Sequence, residues 1–134
     1  TMEKRRVRIA LVDDHSLFRT GLRGLLSQRS DYEVVADVGS GEEFLALLPE
    51  LDVDVVFMDI SMPGIDGCET TRRALEQCPY LRIITLSMYG DEHYYSLMVE
   101  SGASGFLLKD SDPKNLFWKK CIPVRLKLVA YLKQ

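Results

Sequence analysis

The chain has 134 residues, enough for one domain that buries a core without disulfides or metal staples. With 46% hydrophobic and 28% charged residues it does not read as disordered, and no apolar run reaches the length of a membrane span. Cys68, Cys78 and Cys121 are too few and too scattered for a disulfide framework or a zinc knot, and they fit thiols in a reducing cytoplasm. The net charge of −3 is unevenly spread. Residues 114–134 hold six basic groups and no acidic one, which leaves 11 basic and 20 acidic groups, net −9, in residues 1–113. An acidic body argues against direct nucleic-acid binding, which depends on neutralising phosphates.

Short apolar runs rich in β-formers predict strands over Val7–Val12, Tyr32–Val38, Val53–Asp59, Arg82–Ser87 and Gly105–Leu108. Helical patterns lie between them. Leu17, Phe18, Leu22, Leu25 and Leu26 share one helical face after the first strand. Ser40-Gly41-Glu42-Glu43 is a capping-box pattern that opens a second helix, continued by Phe44, Leu47 and Leu48 and stopped by Pro49. The turn-rich Met62–Gly67 leads into a third helix carrying Ala74, Leu75 and Cys78. A fourth spans about 91–101 and ends at Gly102, a suitable C-cap. Strands alternating with helices predict right-handed crossovers and an α/β fold, a parallel sheet covered on both faces. The near-continuous apolar run Val53–Met58 agrees with a doubly buried strand.

Polar residues sit where four strands end: Asp13-Asp14, Asp59, Ser87 and Lys109. In an open parallel sheet these ends share one edge, where ligands bind. Three carboxylates brought together there must raise a pKa or bind a cation, and oxygen ligands favour Mg2+. His15 adjoins the acidic pair but reads as a helix-start residue. Lys109 adds a cation suited to an oxyanion and Ser87 a hydroxyl donor. Together they form an apparatus for transferring a phosphoryl group onto Asp59.

These segments, IALVDDHSLFRTGLRGLL, DVVFMDISMPGIDGCE, IITLS and GASGFLLKD, resemble response-regulator receiver domains of two-component signalling over roughly residues 6–117, and most closely the NarL/FixJ (LuxR-type) branch. The resemblance implies a flavodoxin-like (βα)5 doubly wound sheet with five parallel strands in order 2-1-3-4-5. It implies Asp59 as phosphoacceptor, and Asp13 and Asp14 as the acidic pair for Mg2+, Asp14 more directly. The backbone carbonyl of Ser61 would be a further metal ligand, Ser87 the switch hydroxyl, Phe106 the switch aromatic and Lys109 the phosphoryl-binding lysine. A sensor histidine kinase would be the donor, transfer would be self-catalysed rather than the work of an enzyme with a separate substrate, and homodimers are possible. Met88 and Tyr89, beside Ser87, are expected to restrict water at the acyl phosphate.

The tail departs from that pattern. A last helix is expected from Asp112-Pro113, with Leu116 and Phe117 on its inner face, but Pro123 interrupts it. Residues 118–134 read as an atypical basic tail, too short for the helix-turn-helix domain usual in this branch. Among competing readings, a haloacid-dehalogenase-type phosphatase needs an acid where Ser61 stands, and a flavin carrier needs a phosphate loop where Asp13-Asp14 stand. A stand-alone or degenerate receiver acting as a protein-interaction module remains the alternative.

Overall fold

A computed structural model describes residues 6–88 and 90–109, together with the backbone of 117–119. Its strands are β1 (Val7–Val12), β2 (Tyr32–Val38), β3 (Val55–Asp59), β4 (Arg82–Ser87), β5 (Gly105–Leu108) and β6 (Phe117–Lys119). Its helices are α1 (Ser16–Ser27), α2 (Gly41–Leu47), α3 (Gly67–Gln77) and α4 (Tyr95–Ser101), with 3-10 turns at Leu48–Glu50 and Glu92–Tyr94. The sheet order is β2-β1-β3-β4-β5-β6, and the first five strands are parallel. This is the doubly wound arrangement expected from the alternating pattern.

Strand alternation divides the core. Ile9, Leu11, Val55, Phe57, Ile84, Leu86 and Leu107 pack with Phe18 and Leu22 of α1. The opposite parity, Ala10, Val12, Val56, Met58 and Ile83, packs with Phe44 of α2 and Ala74 of α3. A third cluster joins Ile60, Met98, Ala103 and Phe106 beneath α4. The helix punctuation follows local chemistry. The Ser40 hydroxyl accepts the Glu43 N–H, while the Glu43 carboxylate takes the Gly39 N–H, one residue outside the cap itself. Gly102 closes α4 with φ of 109°, a left-handed conformation that glycine tolerates.

Two expectations need correction. Leu17 is 76% exposed, and Phe18 and Leu22 alone carry the fully buried face of α1, because the turn is rotated so that Phe18 faces the sheet. Phe117 belongs to a strand instead of a final helix: β6 pairs antiparallel with β5, Leu108 opposite Phe117. Leu116-Phe117 sets no helical period by itself. Phe and Trp are residue types with high strand propensity, and the β6 backbone extends the sheet beside β5. The boundary expected at residue 117 falls inside this strand. Asp112, Pro113, Leu116 and residues 120–134 of the tail lie outside the described residues.

Candidate functional site

The parallel register brings the predicted residues to one sheet edge. β1 and β3 are neighbours with Val12 opposite Met58, so Asp13 and Asp59 emerge side by side at the point where the strand order reverses. On the other side of β3, Asp59 lies opposite Leu86, and Ser87 lies opposite Leu108. The Lys109 N–H continues the ladder, donating to the Ser87 carbonyl at 2.5 Å. Leu11, Asp13, Phe57, Asp59, Leu107 and Lys109 share strand parity, which puts the carboxylates and the ammonium on the α1 side.

Asp13, Asp14 and Asp59 each present a carboxylate oxygen within 4.8 Å of the others. Asp13 and Asp59 are buried and Asp14 is exposed at the mouth. Lys109 Nζ donates to Asp13 Oδ2 at 2.8 Å and stands 3.7 Å from Asp59 Oδ2. The same ammonium lies over the Phe18 ring, 4.9 Å from its centroid. The other Asp13 oxygen accepts the His15 N–H at 2.8 Å, which gives His15 a backbone part in starting α1. Both Asp13 oxygens are therefore engaged, and Asp14 has the freer approach to a cation. Ser61 follows two residues after Asp59 on the exposed loop.

The Asp59 carboxyl is pushed up to about 8. Burial is the main cause, since its charged form loses water. The Asp13 charge pushes the same way, Lys109 opposes it, and hydrogen bonding with the Asp13 and Asp14 carboxyls adds to the rise. Three carboxylates facing one ammonium leave an excess of about two negative charges when all are ionised. An all-oxygen donor set with that excess fits a hard divalent cation such as Mg2+.

Sequence reasoning missed the supports. The Arg19 guanidinium donates to the Asp13 carbonyl and pairs with Asp37, which ties the β1–α1 loop to β2. A Cβ on Gly67 would meet the Asp59 carbonyl oxygen at 2.2 Å, so only glycine lets α3 start against the end of β3. Tyr95 went unnoticed because Tyr94-Tyr95 reads as helix surface. Its hydroxyl lies 3.3 Å from Ser87 Oγ and its ring packs on Phe106 with centroids 4.5 Å apart. Phe106 is buried, and Ser87 also lies against the Leu107 carbonyl at 3.4 Å. Met88 is 53% exposed, and Tyr89 lies outside the described residues.

Comparison with known proteins agrees with this geometry. The response regulator receiver domain family matches residues 9–119. The transcriptional regulatory protein DegU of Brevibacillus brevis is 38% identical over 111 residues, 83% of this chain and 47% of that protein. The nitrate/nitrite response regulator protein NarL of Escherichia coli K12 is 37% identical over 108 residues, 81% of this chain and 50% of that protein. The chain thus spans about half the length of the curated relatives it matches. A LuxR-family two-component response regulator from Aurantimonas sp. SI85-9A1 superposes with a TM-score of 0.77 at 34% identity, covering 96% of this chain and 86% of that one. The isolated receiver domain of RcsB from Salmonella enterica serovar Typhimurium, solved with the phosphomimetic BeF3−, gives a TM-score of 0.77 at 26% identity, covering 96% of this chain and 90% of that one. With this fold, this sheet-edge cluster and these matches, the chain belongs to the receiver-domain family of two-component response regulators, on its NarL/LuxR-like branch.

Proposed function

We propose that Asp59 accepts a phosphoryl group from a sensor histidine kinase, in a Mg2+-dependent transfer that the receiver itself catalyses. The observation that carries this reading is the position of Lys109 Nζ, 2.8 Å from Asp13 Oδ2 and 3.7 Å from Asp59 Oδ2, within a cluster of three carboxylates. An Asp59 carboxylate oxygen attacks phosphorus, and a new P–O bond forms. The bond from phosphorus to the donor breaks, and the donor leaves with its electron pair. Lys109 neutralises charge on the phosphoryl oxygens and exchanges its contact with Asp13 for one with them. Mg2+, when held by Asp14, Asp13, Asp59 and the Ser61 carbonyl, supplies the remaining positive charge. Ionisation of Asp59, disfavoured in the buried site, is part of what the cation contributes.

The phosphorylated site draws on Ser87, and Phe106 repacks against the α4–β5 face. A bias of about 3 kcal/mol between the two arrangements changes their ratio over a hundredfold. The matched region is about half of each named relative, and DegU is a transcriptional regulatory protein, so the output is read by a DNA-binding segment of a longer protein or by a partner. Dimerisation through that face and a cytoplasmic setting belong to the same proposal. Incubation with acetyl phosphate and Mg2+, followed by intact mass, tests it. One added phosphoryl group that is lost in Asp59→Asn supports the reading, and no gain at any donor concentration overturns it.

A further inference from the structure

The Ser87 hydroxyl is engaged away from the acidic pocket. Strand parity aligns Ser87 with Ile83 and Thr85, on the face opposite Asp59. Its oxygen lies 3.4 Å from the Leu107 carbonyl and 3.3 Å from the Tyr95 hydroxyl. A carbonyl only accepts, so the two contacts are made together when Ser87 donates to Leu107 and the Tyr95 O–H donates to Ser87 Oγ. In either direction of the Tyr95 contact, both partners of the Ser87 hydroxyl lie away from the acidic pocket.

Tyr95 is the first residue of α4, and it touches both movable parts of the switch. Its hydroxyl meets Ser87, and its ring packs on Phe106 with the planes inclined by 41°. Phe106 has no hydroxyl, so the aromatic of β5 cannot make this bond. Among the described residues, the α4 N-cap, Tyr94, makes no side-chain capping hydrogen bond but packs beside the Ile60–Met98–Phe106 cluster, Met98 is the fully buried residue of the helix, and Leu97 and Val99 are exposed.

We propose that Tyr95 is a latch, a positioning residue whose hydroxyl holds Ser87 in its phosphoryl-free orientation while its ring holds Phe106 in place. The inference rests on the reading that Asp59 takes a phosphoryl group. When Ser87 turns toward that group it gives up the Tyr95 hydroxyl, and the start of α4 is released together with Phe106. Phosphorylation is thereby read out on α4 through one side chain.

Tyr95→Phe keeps the ring and removes the hydroxyl. The test titrates the free proteins with beryllofluoride and Mg2+ and follows backbone amide NMR. Tyr95→Phe should bind beryllofluoride roughly 2- to 10-fold more tightly than wild type, the equilibrium equivalent of one neutral hydrogen bond. Its unliganded Ser87 and α4 resonances should lie part of the way toward their beryllofluoride-saturated positions. In a Ser87→Ala background the same substitution should add nothing, because the coupling runs through that hydroxyl. Equal affinity and unchanged spectra in Tyr95→Phe, or the same gain with Ser87 absent, would overturn the latch while wild-type binding upholds the phosphoacceptor reading. A wild-type chain that binds no beryllofluoride and gains no phosphoryl mass would end both.

Discussion

Replacing Asp59 with Asn should stabilise the metal-free protein, and by more as pH rises. In the folded chain the Asp59 carboxyl is held up to about 8, against an ordinary value near 3.8. Between those values the native state keeps a proton that the unfolded chain has lost. Wild-type stability from this group is therefore full at the acid end of the window and is lost as pH climbs through it. At an effective dielectric near 20, repulsion between carboxylates 4.8 Å apart or closer is at least about 3 kcal/mol. Attraction to Lys109 at 3.7 Å is about 4 kcal/mol on the same footing. Lys109 therefore offsets about one of the two neighbouring carboxylates, and the burial of Asp59, a residue only 6% exposed, adds to what remains and sets the sign. Asn mimics the neutral form and leaves the Lys109–Asp13 pair intact. Urea melts of both proteins in EDTA from pH 5 to 9 should show a gap that opens by up to about 1.4 kcal/mol per pH unit and levels off above about 8. Added Mg2+ should narrow it by binding native wild type more tightly. A gap that does not change with pH, or an Asn variant less stable at pH 8, would refute the electrostatic account of the site.

Other substitutions probe the supports. Lys109→Met leaves the buried Asp13 without its cation and should cost about 3–5 kcal/mol at pH 8, much of it recovered by adding Asp13→Asn; urea midpoints for the single and double variants check this. Gly67→Ala drives a Cβ into the Asp59 carbonyl and should lower stability by about 2 kcal/mol or more, measured by thermal melting, with an unchanged midpoint counting against the packing argument. Asp66→Ala removes the oxygen that accepts the Glu69 N–H at 2.9 Å and should cost about 1 kcal/mol in the same assay.

The strand ends were legible because each polar residue closes an apolar run, and the parallel register needs only those ends to gather Asp13, Asp59, Ser87 and Lys109. Ser40 and Gly102 were legible because caps are local chemistry. Asp66 is also a cap, but it lay in a segment that reads only as a turn. Tyr95, Arg19 and Gly67 act across elements, on Ser87, the Asp13 carbonyl and the Asp59 carbonyl, and no spacing along the chain encodes those meetings. Leu17 misled because a leucine beside Phe18 fits the same helical stripe, and only the seating of α1 on the sheet separates them. Phe117 misled because two apolar residues suit a helix face and a strand equally, and the partner that decides is the edge of β5.

The most direct measurement traps the acyl phosphate itself. Protein treated with acetyl phosphate and Mg2+ is reduced with borohydride, which converts a phosphorylated aspartate to homoserine, and the position is read by peptide mass. The account predicts homoserine at residue 59, dependent on Mg2+ and absent without the phosphodonor. Reduction at another aspartate, or none at residue 59 under saturating donor, would contradict it.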